Sequence, residues 1–386
     1  MRCEAPLRHT RRDPLTLPLA LHLAALILFA LGIGMTMLTV SAAGQYRYAS
    51  LLSGPEGLDE HGMWALSAIV LITTVLAPLA RVIGTVFVLS CLRLARPPRV
   101  CRGIFAWVEH LRPWSMVEIY LLGVFVAYVR LSDMVIIDLG VALYALGALM
   151  VTGIVADQML DRQAVWEALA HWPPRDPARA HPAIALGKKL ERMGCDTCGL
   201  VSRAREGDSC PRCGAGLRGR RPHGVGRSWA FAIAAVIVYV PANLYPVLTL
   251  THLGVGHPST IMGGVVELAE VGMWPLAALV FFASVLVPVL KLAGLGFVLV
   301  TTQMGIAEYR KERVSLFHVV DSVGRWSMID IFMVSILVSL LQFGSVVTVV
   351  PGMGALAFSS VVILTMLAAH SFDPRLIWDR ARAVSP

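Results

Sequence analysis

Long apolar blocks alternate with short charged segments along the chain. The blocks Leu15–Val40, Gly62–Leu92, Trp114–Val129, Val135–Val155, Trp229–Leu250, Gly272–Val300, Ile329–Phe343 and Val346–Ala368 are each mostly apolar. Within them hydrophobic residues run on without the period of 2 of a half-buried strand or the 3.6 of an amphipathic helix. A helix needs about 20 such residues to cross a bilayer, so the pattern predicts about eight membrane-spanning helices. Trp114–Val129 and Ile329–Phe343 are short and need flanking residues to complete the crossing. The alternation of outer-membrane strands is absent. The expected class is an all-α integral membrane protein.

Composition agrees: 56% of the 386 residues are hydrophobic and 15% charged, against about 25% charged in soluble domains. The net charge of +8 does not imply a nucleic-acid partner, because the cations are placed by loop. The segments before the first block, Arg93–Arg102, Arg162–Arg227, Arg310–Arg313 and Arg375–Arg382 hold 27 of the 33 basic residues. Alternate loops carry Glu56, Asp59, Glu60, Asp133, Glu267 and Glu270. This positive-inside bias predicts that both termini and the central segment are cytoplasmic. Two arginines, an apolar stretch and Ser41-Ala42-Ala43 also fit a signal peptide, but the stretch is long for one.

The chain reads as two copies of one unit. Gly62-Met63-Trp64 returns as Gly272-Met273-Trp274, and the same offset of 210 carries Pro78 to Pro288, Arg81 to Lys291 and Gly84 to Gly294. At an offset of 212, Trp114-Ser115-Met116 returns as Trp326-Ser327-Met328, Glu109 as Asp321, Glu118 as Asp330 and Asp161 as Asp373. Four spans per copy bring both copies in from the same side, which predicts parallel repeats about an axis along the membrane normal. The expected divisions are a cytoplasmic tail at 1–14, a first repeat at 15–160, a linker at 161–227, a second repeat at 228–373 and a tail at 374–386.

The linker is charged and Pro-rich and cannot span a membrane. It holds Cys195-Asp-Thr-Cys198-Gly199 and Cys210-Pro-Arg-Cys213-Gly214, two CxxC knuckles eleven residues apart. Four thiolates at this spacing predict one tetrahedral zinc site in a ribbon at about 193–217. With no open coordination position, that zinc would be structural. Disulfides are disfavoured in a reducing cytoplasm. Cys3, Cys91 and Cys101 have no partner spacing; Cys3 reads as the relic of a ribbon ahead of the first repeat.

Mid-span polar residues are costly, so they tend to be paired and functional. The second repeat offers Lys291, with about eight apolar residues on each side, and Asp330. Ser284, Ser327 and Thr365 are the hydroxyls expected to join them, and Pro288 frees a backbone carbonyl nearby. The first repeat keeps the charge pattern in Arg81 and Glu118, with Thr74 and Ser115. A basic and an acidic residue at matched places predict a buried cross-helix pair; a static register-fixing salt bridge is the bland alternative. Pro241-Ala242-Asn243-Leu244-Tyr245-Pro246 should break the end of the fifth span. Its counterpart Leu31–Thr36 lacks both prolines and the asparagine, so the working site is expected in the second half.

The CxxC–CPxC ribbon, Pro-Ala-Asn-Leu-Tyr-Pro, Pro288…Lys291 and Gly324-Arg325-Trp326-Ser327-Met328-Ile329-Asp330 together resemble the paraquat-inducible protein A family. The likeness covers nearly the whole chain. It implies an inner-membrane protein of Gram-negative bacteria with a mammalian-cell-entry-domain tunnel protein as partner. The implied activity is phospholipid movement between inner and outer membranes. Family members usually carry a ribbon before each unit, and here the first is missing apart from Cys3. A zinc or thiol stress sensor without transport is the rival reading. An enzyme finds no support: no GxxxxGK[ST], GxSxG or HExxH occurs.

Overall fold

The computed structural model describes residues 13, 15–42, 45–94, 98–131, 135–170, 191–221, 223–252, 255–306, 308–324, 326–342 and 347–383. Cys3 lies outside them. The chain is mostly helical and gathers into two compact units: residues 1–31, 76–115 and 144–219, and residues 32–75, 116–143 and 220–386.

In chain order the elements are α1 (Thr16–Gly34), β1 (Leu38–Ala42), β2 (Gln45–Ala49), α2 (Ser53–Glu60), α3 (Trp64–Leu71), α4 (Ala77–Cys91), α5 (Val100–Leu111), α6 (Val117–Leu131), β3 (Ile136–Leu139), α7 (Val141–Met159) and α8 (Arg162–Ala170). The linker adds β4 (Glu191–Gly194) and β5 (Val201–Ala204). Then follow α9 (Gly224–Leu244), β6 (Leu248–His252), β7 (Val255–Ser259), α10 (Ile261–Glu270), α11 (Trp274–Phe281), α12 (Val287–Gln303), α13 (Arg310–Val323), α14 (Ile329–Leu340), β8 (Val347–Pro351), α15 (Met353–Ser371) and α16 (Leu376–Ala383).

Among the described residues, six helical stretches are long and apolar enough to cross a membrane: α1, Trp64–Cys91, α7, α9, Trp274–Gln303 and α15. Helices α6 and α14 have 15 and 12 residues. At 1.5 Å per residue they rise about 23 and 18 Å, short of a hydrocarbon core of about 30 Å. All of α14 except Ser339 is buried in the protein, so it is a core helix and not a lipid-facing one.

The expected all-α class needs a correction. The second unit holds two three-stranded antiparallel sheets, ordered β2-β1-β3 and β7-β6-β8. In the first, Val40 faces Arg47 and Ile137; in the second, Thr249 faces Pro258 and Val350. Strands β1, β3, β6 and β8 are short runs rich in β-branched residues, joined without a polar break to α1, α7, α9 and α15. The apolar blocks therefore overran their helices at one end. Helix α9 continues through Pro241 to Leu244 where a break was expected. Asn243 Nδ2 donates to the Tyr239 carbonyl at 2.8 Å and the Tyr245 amide to the Pro241 carbonyl at 2.9 Å, closing the last turn. Tyr245 is extended, with ψ 147°, as a residue before proline prefers, and Pro246 hands the chain to β6.

Both long helices Trp64–Cys91 and Trp274–Gln303 contain a π-helical turn, at Ile72–Leu76 and Phe282–Leu286. Each turn ends just ahead of Pro78 or Pro288. Proline has no N–H and its ring crowds the carbonyl four residues back, and a widened turn relieves that clash. The two halves match in other details. A methyl group at Gly84 would stand 2.5 Å from Val108 Cγ2, and one at Gly294 would stand 2.8 Å from Val320 Cγ2. Tyr120 of α6 and Phe332 of α14 touch edge to face with centroids 5.7 Å apart. A methyl at the neighbouring Gly123 would stand 2.9 Å from Phe332 Cβ, so small residues let α6 and α14 approach closely.

Candidate functional site

The site residues of the second half are set by two antiparallel paths. Along one, Trp274–Gln303 runs from α11 to the end of α12. Along the other, Arg313 donates to Thr302 Oγ1 at 3.0 Å and to the Ile306 carbonyl at 2.8 Å, Val320 packs on Gly294, and Gly324 lies against the end of the Lys291 side chain. After a 3₁₀ turn at Trp326–Met328, α14 resumes the path, and Asp330 comes level with Ser284 on the wall of one cleft. Ser284 to Thr302 is about 27 Å of helix rise, so α13, the turn and α14 together parallel most of a crossing.

That geometry separates two residues the sequence reading had paired. Lys291 follows Ser284 by seven residues, about 10 Å along the helix. It therefore sits at Gly324, one and a half turns below Asp330, and the two form no ion pair. Lys291 is 3% exposed and its Nζ has no hydrogen-bond partner among the described residues; Asp321 is the carboxylate whose charge acts on it. Asp330 is buried, as are Ser284, Ser327 and Thr365. Ser284 Oγ donates to the Val280 carbonyl at 2.7 Å and Thr365 Oγ1 to the Val362 carbonyl at 2.8 Å, so both hydroxyls bond their own helices. Ser327 Oγ and Ser335 Oγ are buried without a partner among the described residues.

The cleft is shallow and partly open, with a cavity volume of about 40 Å³. Its walls come from Leu248, Ile261, Val280, Met333 and Val334, with Asp330, Ser259 and Thr260 as polar groups. In the second unit α2 packs against α14, with Gly54 seated on Ser335; α10 instead lines the cleft through Ile261 and Gly264.

In the first half Thr74 is buried and donates to the Val70 carbonyl at 2.7 Å. Ser115 is partly buried and Glu118 exposed. Arg81 does not take the matched carboxylate: it pairs with Asp157 of α7, a residue the sequence reading passed over. Glu109 accepts from Arg162 at 3.1 Å.

The ribbon forms a second centre. Strands β4 and β5 pair, and each knuckle turn closes through its glycine: the Gly199 amide on the Cys195 carbonyl and the Gly214 amide on the Cys210 carbonyl, both at 2.9 Å. Gly199 and Gly214 have φ +70° and +81°, a region that suits glycine. The four Sγ atoms lie within 4.8 Å of one another, with Cys195–Cys213 at 3.5 Å and Cys198–Cys210 at 3.6 Å. A tetrahedral zinc with Zn–S about 2.3 Å places sulfurs roughly 3.8 Å apart, so the arrangement fits a metal ion. Hydrogen bonds from Cys198 and Cys213 hold the Cys210 thiol well below its ordinary range, and the bond to Cys210 pushes Cys198 up to about 12. Cys198 and Cys213 pack on a core cluster of the first unit that includes Leu19, Cys91, Cys101, Phe105 and Trp166. Cys91 and Cys101 share that cluster, a proximity their spacing did not suggest.

Three relatives align with most of this chain. Intermembrane transport protein PqiA of Escherichia coli strain K12 is 33% identical over 381 residues, 98% of this chain and 90% of the relative. Lipophilic envelope-spanning tunnel protein A of the same strain is 30% identical over 379 residues, covering 98% and 85%. A probable intermembrane transport protein of Haemophilus influenzae is 27% identical over 286 residues, covering 72% and 66%. No solved structure matches significantly. The sequence profile of paraquat-inducible protein A matches residues 15–170 and 225–382. The chain, a multi-pass membrane protein, belongs to the paraquat-inducible protein A family.

Proposed function

We propose that the chain is a lipid transporter subunit of the bacterial inner membrane. It passes phospholipid between that membrane and a mammalian-cell-entry-domain tunnel protein crossing the periplasm, and so supports outer-membrane integrity. The observation that carries this reading is the cleft beside Asp330 and Ser284: hydrocarbon walls with a few polar groups suit a molecule that is mostly acyl chain with a polar head. The printed names of the relatives, which speak of intermembrane transport and an envelope-spanning tunnel, point the same way. Lys291, Ser327 and Thr365 continue the polar path below the cleft, and Arg81, Glu118, Thr74 and Ser115 are its weaker echo in the first repeat. Pro241, Asn243 and Pro246 shape the helix end that leads into β6.

The topology of this reading has eight crossings, the third of each half made by a broken helix, α5–α6 or α13–α14. Both termini and the ribbon face the cytoplasm, and the two sheets face the periplasm. The ribbon holds one structural zinc. The halves descend from a duplication, supported by the paired π turns, the two glycine–valine contacts and the two profile segments. To test transport, the protein is purified in mild detergent and its lipids identified by mass spectrometry. Phospholipid should co-purify with the wild type and be reduced by Gly264→Trp, which fills the cleft. Absence of phospholipid above the detergent background would end the proposal.

A further inference from the structure

The ribbon carries a charged face that neither its four thiols nor the cleft of the second unit uses. Strands β4 and β5 pair so that Arg192 stands directly opposite Arg203 and Gly194 opposite Val201. Directly opposed residues point to the same side of a sheet, as do residues two apart on one strand. Arg192, Gly194, Val201 and Arg203 therefore share one face, while Met193 and Ala204 turn to the other and are buried in the ribbon's own core. Both arginines are exposed, Val201 is 66% exposed, and neither arginine is held in an ion pair among the described residues. Like charges directly opposite one another destabilise a strand pair, and none of the four residues of this face is a carboxylate that would offset them. Two guanidinium groups kept side by side on an open sheet suit an external anion. Phosphate fits best, because the planar fork binds it through two parallel hydrogen bonds.

The place of the ribbon in its unit says where that anion comes from. Cys198 and Cys213 pack on the cluster that holds Leu19 and Cys91. Leu19 lies in the first turn of α1, and Cys91 closes the candidate span Trp64–Cys91. The knuckles therefore sit at the ends of two membrane-spanning helices, at the level of the lipid headgroups. Arg192 precedes Cys195 by three residues, about 10 Å of strand. That is comparable to the distance of about 8 Å over which a charged surface acts at physiological salt.

We propose that the Arg192–Arg203 face of the ribbon docks on anionic phospholipid headgroups of the leaflet at the ribbon's side. One phosphate bridges the two guanidinium groups, and Val201 adds an apolar contact. The ribbon is then held by its knuckles on the protein and by its sheet face on the lipid, so its seating depends on the charge of that leaflet. This requires only that the spans lie in a bilayer, whatever the cleft carries.

The test uses the full zinc-loaded chain in nanodiscs of phosphatidylcholine with a minority of phosphatidylglycerol. A photoreactive phenylalanine analogue replaces Val201, and the lipids cross-linked to it are identified by mass spectrometry. Phosphatidylglycerol should be enriched among the adducts about fivefold or more over its share of the bilayer, the preference that one arginine ordinarily gives at an anionic surface. Arg192→Gln and Arg203→Gln should each lower the enrichment, and the double variant should return it to the bulk share with zinc content unchanged. If the double variant loses zinc, the two single variants supply the reading. Glycerophosphoglycerol, the free headgroup in solution, should not compete. Absence of lipid adducts, adducts at the bulk share, or an enrichment that the variants leave unchanged would overturn the proposal. So would full competition by the free headgroup, which would make the ligand a soluble phosphate.

Discussion

Replacing Lys291 by methionine should raise stability while abolishing function. The side chain is 3% exposed and its Nζ makes no hydrogen bond among the described residues. An unmade hydrogen bond on a buried donor costs about 1–3 kcal/mol, and more when the donor is charged. The charge of Asp321 offsets part of that from a distance. Methionine keeps the length and volume of the stem against Gly324 but removes the charge. Exchanging buried charges for apolar groups of similar volume has been neutral or stabilising by about 1–4 kcal/mol, and the same range is expected here. Lys291→Ala also removes the charge but leaves a cavity, which for a side chain of this size costs about 2–5 kcal/mol. The expected order of melting temperatures in detergent is therefore Lys291→Met, then wild type, then Lys291→Ala. A protein that retains an uncompensated buried charge has given up stability for function, so both variants should fail to restore outer-membrane integrity to cells lacking the protein. A methionine variant that melts below the wild type would refute the energetic reasoning. Full envelope integrity with that variant would refute the functional half.

Cys195→Ser with Cys198→Ser should reduce bound zinc from about one per chain to near none and lower protein abundance, as a structural four-thiolate site requires; metal analysis of the wild type finding no zinc would remove that site. Cysteines placed at the exposed positions Glu60 and Glu270 should react with an impermeant thiol reagent applied from the periplasm, and one at exposed Lys311 should not; the opposite labelling inverts the topology. Gly123→Ala puts a methyl 2.9 Å from Phe332 Cβ and should cost about 1–3 kcal/mol through overpacking, whereas Gly147→Ala meets nothing within 4 Å and should leave the melting temperature unchanged or slightly higher.

The ribbon was legible because metal binding imposes spacing that is local in sequence: Cys195, Cys198, Cys210 and Cys213 announce their own geometry. The spans were legible as apolar blocks, but not their ends. Leu38-Thr39-Val40 and Val347-Thr348-Val349-Val350 continue the hydrophobic run, and only their β-branched density hinted at strands. The pairing of Lys291 with Asp330 was misread for a different reason. Matched offsets show which residue of one half corresponds to which of the other; they carry no information about contacts inside a half. Those contacts depend on helix rise, and seven residues of α12 separate Lys291 from the level of Asp330. Asp157 was invisible to the same reasoning because its counterpart, Ala369, has lost the charge.

Tyr120 and Phe332 occupy corresponding positions of the two halves, 212 residues apart, and they touch each other. A residue that meets its own equivalent lies on a two-fold axis, the mark of an isologous interface. Under the duplication proposed above, this contact is what an ancestral four-helix homodimer would leave behind, with α6 packed on its own copy. In that proposal, fusion of the two copies freed the two sides to diverge. One kept a helix tight against α14 at Gly54, and the other let α10 draw back to line a cleft. Asymmetry of this kind is closed to a homodimer, in which every change appears twice.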